Sequence, residues 1–167
     1  RDRIMKNLVS VNNLSKKFSS FKAVKEINFN INENEILGLL GPNGCGKTTT
    51  IGMMLGLLKP TSGEVIINGL NVEKNRIELL KKMNFISPYI ELPKKLTVRE
   101  NLLVYGKLYS VEKIKNRIDY LTETLRLNEF INKKTGELSS GQKNRVSLAK
   151  AVINDPDILL LDEPTAS

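Results

Sequence analysis

Eight residues constrain this chain more than any others: Gly41-Pro42-Asn43-Gly44-Cys45-Gly46-Lys47-Thr48. They fit the G-x-x-x-x-G-K-[ST] pattern, in which glycines let the backbone wrap an anion with its N–H groups turned inward. A helix starting near Lys47 adds the positive end of its dipole. The Lys47 ammonium would then lie between β- and γ-phosphates, with the Thr48 hydroxyl on Mg²⁺. A strand before the pattern and a helix after it are the context that confirms this meaning. Residues 36–40 are a purely apolar run ending at Gly41, read as a buried strand. Residues 48–58 read as a helix, stopped by Pro60 and the turn Thr61-Ser62-Gly63.

A phosphate loop alone says only that a nucleoside triphosphate is bound, since kinases, GTPases and motor ATPases share it. A second acidic element narrows the choice. Ile158–Leu161 is wholly apolar and runs into Asp162-Glu163. A carboxylate at the end of a buried strand is costly unless it serves a cation or a water. Asp162 is therefore expected to hold Mg²⁺, directly or through water, and Glu163 to polarise the attacking water as general base. The two apolar strands ending at Gly41 and Asp162 are expected side by side in the centre of a parallel sheet. Between them, Leu138-Ser139-Ser140-Gly141-Gln142 precedes a helical pattern over residues 142–153. Its serines suit an N-cap, which would make a second anion-binding helix end.

The rest of the chain fills in an α/β frame. Residues 8–14 read as a strand, Ile27, Phe29 and Ile31 alternate as in a half-buried strand, and Asn32-Glu33-Asn34 reads as a turn. Val65-Ile66-Ile67-Asn68-Gly69 reads as strand then turn. From Leu96 to about Asn132 strand signals give way to helical spacing, such as Ile114, Ile118, Leu121 and Leu125. The expected division is a core of about residues 1–88 and 142–167 around a helical insert of about residues 89–141.

The phosphate loop, the LSSGQ stretch and ILLLDEP stand in the order and spacing of ABC ATPases, which this chain resembles over nearly its whole length. The stretches GPNGCGKTTTIGMMLGLLKPTSGEVIINGLNV and LTVRENLLVYGKLY most resemble ATP-binding subunits of bacterial exporters of the ABC-2 kind. The resemblance implies a P-loop NTPase (RecA-like) parallel-sheet core with an N-terminal antiparallel β subdomain and the helical insert. It also implies an ATPase that powers transport, with export favoured, using ATP and Mg²⁺. Nucleotide contacts would come from Gly41, Pro42, Asn43, Gly44, Cys45, Gly46, Lys47, Thr48 and Thr49. Ser139, Ser140, Gly141 and Gln142 match the signature motif, which in the family reaches across a head-to-tail dimer to the partner's ATP. Phe18 matches the aromatic that stacks on adenine, with Phe21 as a substitute, and Val24 the small apolar residue beside the base. The implied partners are a transmembrane permease and a second nucleotide-binding domain, at the cytoplasmic face of the membrane. The alternative is a soluble cassette ATPase acting on ribosomes or DNA; a GTPase or kinase fits poorly with the signature stretch.

The net charge permits the alternative without favouring it. The net charge of +8 is spread over short Lys pairs, and aromatics are only 5% of residues, so no base-stacking surface and no nucleic-acid partner is expected. No apolar stretch reaches the roughly 18 residues of a membrane span, and RDRIMKNLVSVNNL has no apolar h-region. The lone cysteine, Cys45, fits a reducing compartment.

The sequence departs from the family pattern in four places. Ser140 stands where Gly is usual, and a Ser is strained at positive φ. Phe85-Ile86-Ser87-Pro88-Tyr89 lacks the family's Gln near Pro88. There is no histidine for the switch position, and Pro164-Thr165-Ala166-Ser167 ends before the usual Leu-Asp. The last two point to a fragment of a longer protein. Expressed alone, these 167 residues should be unstable and nearly inactive in hydrolysis; a cooperative melting curve with ordinary ATP turnover would refute this.

Overall fold

The computed structural model describes residues 7–87 and 91–162. The chain divides into two compact units, Arg1–Leu80 and Lys81–Ser167.

The first unit is built on a long hairpin. Strands β1 (Asn7–Phe18) and β2 (Phe21–Asn32) run antiparallel, β3 (Ser62–Ile67) joins the other edge of β1, and β4 (Leu70–Asn71) pairs with β3, giving the order β2-β1-β3-β4. Alternation buries Val9 and Val11 of β1 and Val65 and Ile67 of β3, and a register irregularity between Val11 and Leu14 lets Leu14 turn inward three residues on. Asn68 and Gly69 both take positive φ, 50° and 76°, the two-residue turn that matches strand twist. The predicted turn after β2 is present, with Asn34 at φ 61°.

Helix α1 (Lys47–Met54) follows the phosphate loop and is shorter than the sequence reading. Gly56, not Pro60, ends it. Gly56 takes φ 64°, its N–H donates to the Met53 carbonyl (3.0 Å), and the Leu57 N–H reaches back to Gly52 (2.9 Å). This is the paired closure that a left-handed glycine permits after a helix. A short helix, α2 (Arg76–Leu80), closes the unit.

Residues 36–40 do not form the expected buried strand. Ile36 is 99% and Leu40 92% exposed, and no ladder includes the run among the described residues. An unbroken apolar run suits the inside of a sheet, but it becomes a strand only with neighbours to take its backbone groups. In the second unit, the strand that leads to Asp162, β6 (Ile158–Leu161), pairs in parallel with β5 (Met83–Ile86), from Met83↔Ile158 to Ile86↔Leu161. β6 is also not buried throughout: Ile158 is, whereas Leu161 is 45% exposed.

The second unit's core is helical. Helices α3 (Val98–Leu108), α4 (Ile114–Thr124) and α5 (Ser140–Ala151) bury Val98, Leu102, Ile118, Leu121, Val146 and Ala149 together with Leu127 and Phe130. The spacing that marked the insert as helical is the spacing of these buried residues. Helix α3 opens on a capping box: the Thr97 hydroxyl accepts from the Glu100 N–H and the Glu100 carboxylate accepts from the Thr97 N–H. Those hydrogen bonds hold the Glu100 carboxyl below its ordinary value. Asn101, 1% exposed, turns its amide NH₂ toward the carbonyls of Pro93, Leu96 and Thr97 at 3.0–3.3 Å. A side-chain network of Asn84, Asn154 and Tyr109 links β5, the loop after α5 and the end of α3.

Arg117 closes the far end of α5. Its guanidinium donates to the carbonyls of Val152 (2.7 Å) and Ile153 (3.2 Å) and to the Asp155 carboxylate (3.1 Å). A cation at a helix C-terminus satisfies orphan carbonyls and the dipole together. Arg117→Ala should cost about 1–3 kcal/mol in chemical denaturation. Arg117→Lys should recover only part of that, because an ammonium cannot reproduce the forked geometry.

Candidate functional site

The phosphate loop is shaped by contacts that exclude side chains. Gly46, the N-cap of α1, has φ 99°. A Cβ there would strike the carbonyl oxygen of Ala23 and come within 3.1 Å of Val24 Cγ2. Only glycine fits both the angle and the space, so the loop lies directly on β2. α1 then starts without a side-chain cap, and Thr50 returns both its N–H and its hydroxyl to the Gly46 carbonyl, at 2.8 and 2.9 Å.

Lys47 is the first helical residue. Its ammonium donates to the carbonyls of Gly41 (2.7 Å) and Pro42 (3.0 Å), so it is folded back over the loop it belongs to. A cleft of about 470 Å³ runs along this side of the unit, lined by Phe21, Ala23, Val24, Gly44, Cys45, Gly46 and Lys47 among others. Thr48 is exposed and Thr49 half-buried in the first turn of α1. Gly41, Pro42 and Asn43 lead in, all exposed.

The two aromatics expected near a base divide in an informative way. Phe18 and Phe21 face each other across the hairpin end. Phe21, 61% exposed, lines the cleft; Phe18, 45% exposed, is not among its lining residues. Lys16 sits over the Phe18 ring with its nitrogen 5.1 Å from the centroid, and also donates to the Lys59 carbonyl at 2.6 Å. The cation–π pair is local, two residues apart on β1, whereas the tie to Lys59 is long-range and invisible to sequence spacing.

In the second unit, Ser139 caps α5. Its hydroxyl accepts from the Gln142 N–H (3.3 Å), and the Gln142 carboxamide oxygen accepts from the Ser139 N–H (3.0 Å). The S-x-x-Q spacing of a capping box was legible as an N-cap signal. Ser140 is the first residue of α5 and is not at positive φ, so a serine stands there without strain. A Cβ at Gly141 would meet nothing within 4 Å, which leaves the outer side of this helix end open. Asp162 follows β6, is 5% exposed, and donates its N–H to the Ile86 carbonyl at 2.9 Å. Glu163, Pro88 and Tyr89 lie outside the described residues.

A loop of this geometry at the head of a helix, and a capped serine-glycine helix end, occur together in one family. The family model described as ABC transporter matches residues 24–166. This chain belongs to the ABC transporter family. It is 42% identical over 164 residues to the bacitracin transport ATP-binding protein of Bacillus licheniformis, covering 96% of this chain and 52% of that protein. With the Nod factor export ATP-binding protein I of Rhizobium johnstonii it shares 41% identity over 155 residues, 91% of this chain and 50% of the relative. With the ABC transporter ATP-binding protein NatA of Bacillus subtilis it shares 33% over 165 residues, 95% of this chain and 67% of the relative. The chain thus spans about half the length of the first two relatives. Among solved structures, an ATP-binding subunit of an ABC transporter superposes with TM-score 0.84 at 26% identity, over 95% of this chain and 67% of that one. The ADP conformation of another ABC cassette gives 0.83 at 28%, over 96% and 70%. The fold is accordingly the α/β P-loop fold of ABC cassettes, with its antiparallel N-terminal sheet. Among the described residues no helix is long and apolar enough to cross a membrane.

Cys45 is exposed in the loop, its N–H donating to the Pro42 carbonyl at 3.2 Å. ATP should slow alkylation of this thiol, and alkylation should block ATP binding. Equal labelling rates with and without ATP would show that the thiol lies outside the ligand's footprint.

Proposed function

We propose that this chain is the ATP-binding and ATP-hydrolysing part of an ABC transporter, and that the transporter exports its substrate. The observation that carries the reading is the phosphate loop itself: glycine-only contact with β2, a helix start with no side-chain cap, and the Lys47 ammonium gathered over the loop. The relatives act in bacitracin transport and Nod factor export, which supports transport over an action on ribosomes or DNA, and the second supports export.

The residues suit their roles chemically. Lys47 would trade the carbonyls of Gly41 and Pro42 for β- and γ-phosphate oxygens, exchanging two dipole contacts for charge-assisted ones. Gly41, Pro42, Asn43, Gly44, Cys45 and Gly46 supply the wall of the loop, and Thr49 extends it along α1. Val24 and the Phe18–Phe21 pair would border the base.

For Mg²⁺, Thr48 and Asp162 are hard oxygen donors, one exposed in the first turn of α1 and one nine-tenths buried at a strand end. That donor set fits a small cation that keeps most of its water. When bound, the ion would neutralise charge on the phosphates. Glu163, next in the chain, would accept the proton of the attacking water.

The capped end of α5 would act on the nucleotide of a second cassette. Because the Ser139 hydroxyl accepts from Gln142, its own proton stays available as a donor to a phosphate oxygen. Ser140, Gly141 and Gln142 hold this end open and capped. A head-to-tail pair of cassettes, seated on a transmembrane permease at the cytoplasmic face of the membrane, would bring the two half-sites together.

Replacing Lys47 with Ala in the full-length protein should weaken Mg–ATP binding by about tenfold to a hundredfold, the worth of one or two charge-assisted hydrogen bonds. Isothermal titration of the variant reads this directly. Unchanged affinity would remove the foundation of the proposal.

A further inference from the structure

The segment from Glu91 to Thr97 has two sides. Glu91, Pro93, Lys94 and Lys95 are exposed, while its carbonyls are taken up from beneath. Asn101 of α3 supplies one set of donors, toward Pro93, Leu96 and Thr97. Thr135, 3% exposed, supplies another: its hydroxyl donates to the Pro93 carbonyl at 2.7 Å and its N–H to the Leu96 carbonyl at 3.0 Å. The Gly136 N–H adds a bond to the Lys94 carbonyl at 3.1 Å, and Thr97 bridges Lys134. Asn101 keeps this position although its own Oδ1 is buried with no partner among the described residues. A buried acceptor left unpaired is a standing penalty, so the donations it makes outweigh it.

Thr135 begins the single 3₁₀ turn Thr135–Glu137. Leu138, buried, follows, and Ser139 then caps α5. The loop and the capped helix end are therefore joined by the one-turn 3₁₀ segment Thr135–Glu137 and a single extended, buried residue, Leu138.

We propose that Thr135 is a positioning residue for the signature segment. Supported by Asn101, it fastens residues 93–97 and the capped start of α5 into one body, so that residues 139–141 meet a phosphate in a fixed attitude and follow any displacement of the exposed loop. The inference rests on the proposed role of the α5 end and adds the residue that aims it.

The test uses the full-length protein in complex with its membrane partner. Thr135→Val removes the hydroxyl but leaves Pro93 its contact with Asn101. It should lower kcat about fivefold, the worth of one net hydrogen bond, while ATP affinity measured by titration stays at the parental value. Amide exchange over residues 135–142 should quicken, and Thr135→Ser should restore both exchange and kcat. Gly136→Ala is the second variant, since its Cβ would stand 3.1 Å from the Lys94 carbonyl oxygen and press on the same junction; it should also lower kcat. If Thr135→Val fails to fold, Gly136→Ala decides alone. Parental kcat in these variants, or a fall in ATP affinity that accounts for the fall in turnover, would overturn the proposal. Failure of the functional reading would look different, because the unsubstituted protein would then not bind ATP.

Discussion

Much of the first unit follows from a missing side chain. Because Gly46 has no Cβ, the loop before α1 can rest on the Ala23 carbonyl and against Val24. That contact sets where α1 begins, which way its first amides point, and which strand forms the opposite wall of the cleft. Any larger residue would have to push β2 away, and the hairpin residues that line the cleft would move with it. The hydrogen bonds of Thr50 back to Gly46 then hold the first turn without a capping side chain from outside. A phosphate cradle built from backbone has this dependence: its precision is that of main-chain packing, not of rotamers.

The sequence was most legible where chemistry and period coincide. The Gly41–Thr48 loop, the S-x-x-Q start of α5 and the Leu/Ile spacing of α3 and α4 each declare themselves within a few residues, and each is where the reading put it. The miss at residues 36–40 has the opposite character. An apolar run states that it wants to be inside a sheet but not which strands will flank it, and the parallel partner of β6 proved to be β5. The end of α1 was misplaced because Pro60 is a louder signal than Gly56, although a left-handed glycine closes a helix just as firmly.

The site residues themselves were readable one at a time, but their neighbours were not. Lys16 on the Lys59 carbonyl, and Thr135 beneath Pro93, pair residues more than forty positions apart. Such contacts come from tertiary packing of loops, where local propensity is silent. Ser140 shows the reverse case: an apparent departure from the family pattern disappears once the backbone is seen to be helical there.

The posture of Lys47 sets a threshold for whatever would take its place. The ammonium is satisfied by two carbonyls of its own loop, at 2.7 and 3.0 Å. A competing group must offer at least two acceptor oxygens to match them, and charged ones to come out ahead.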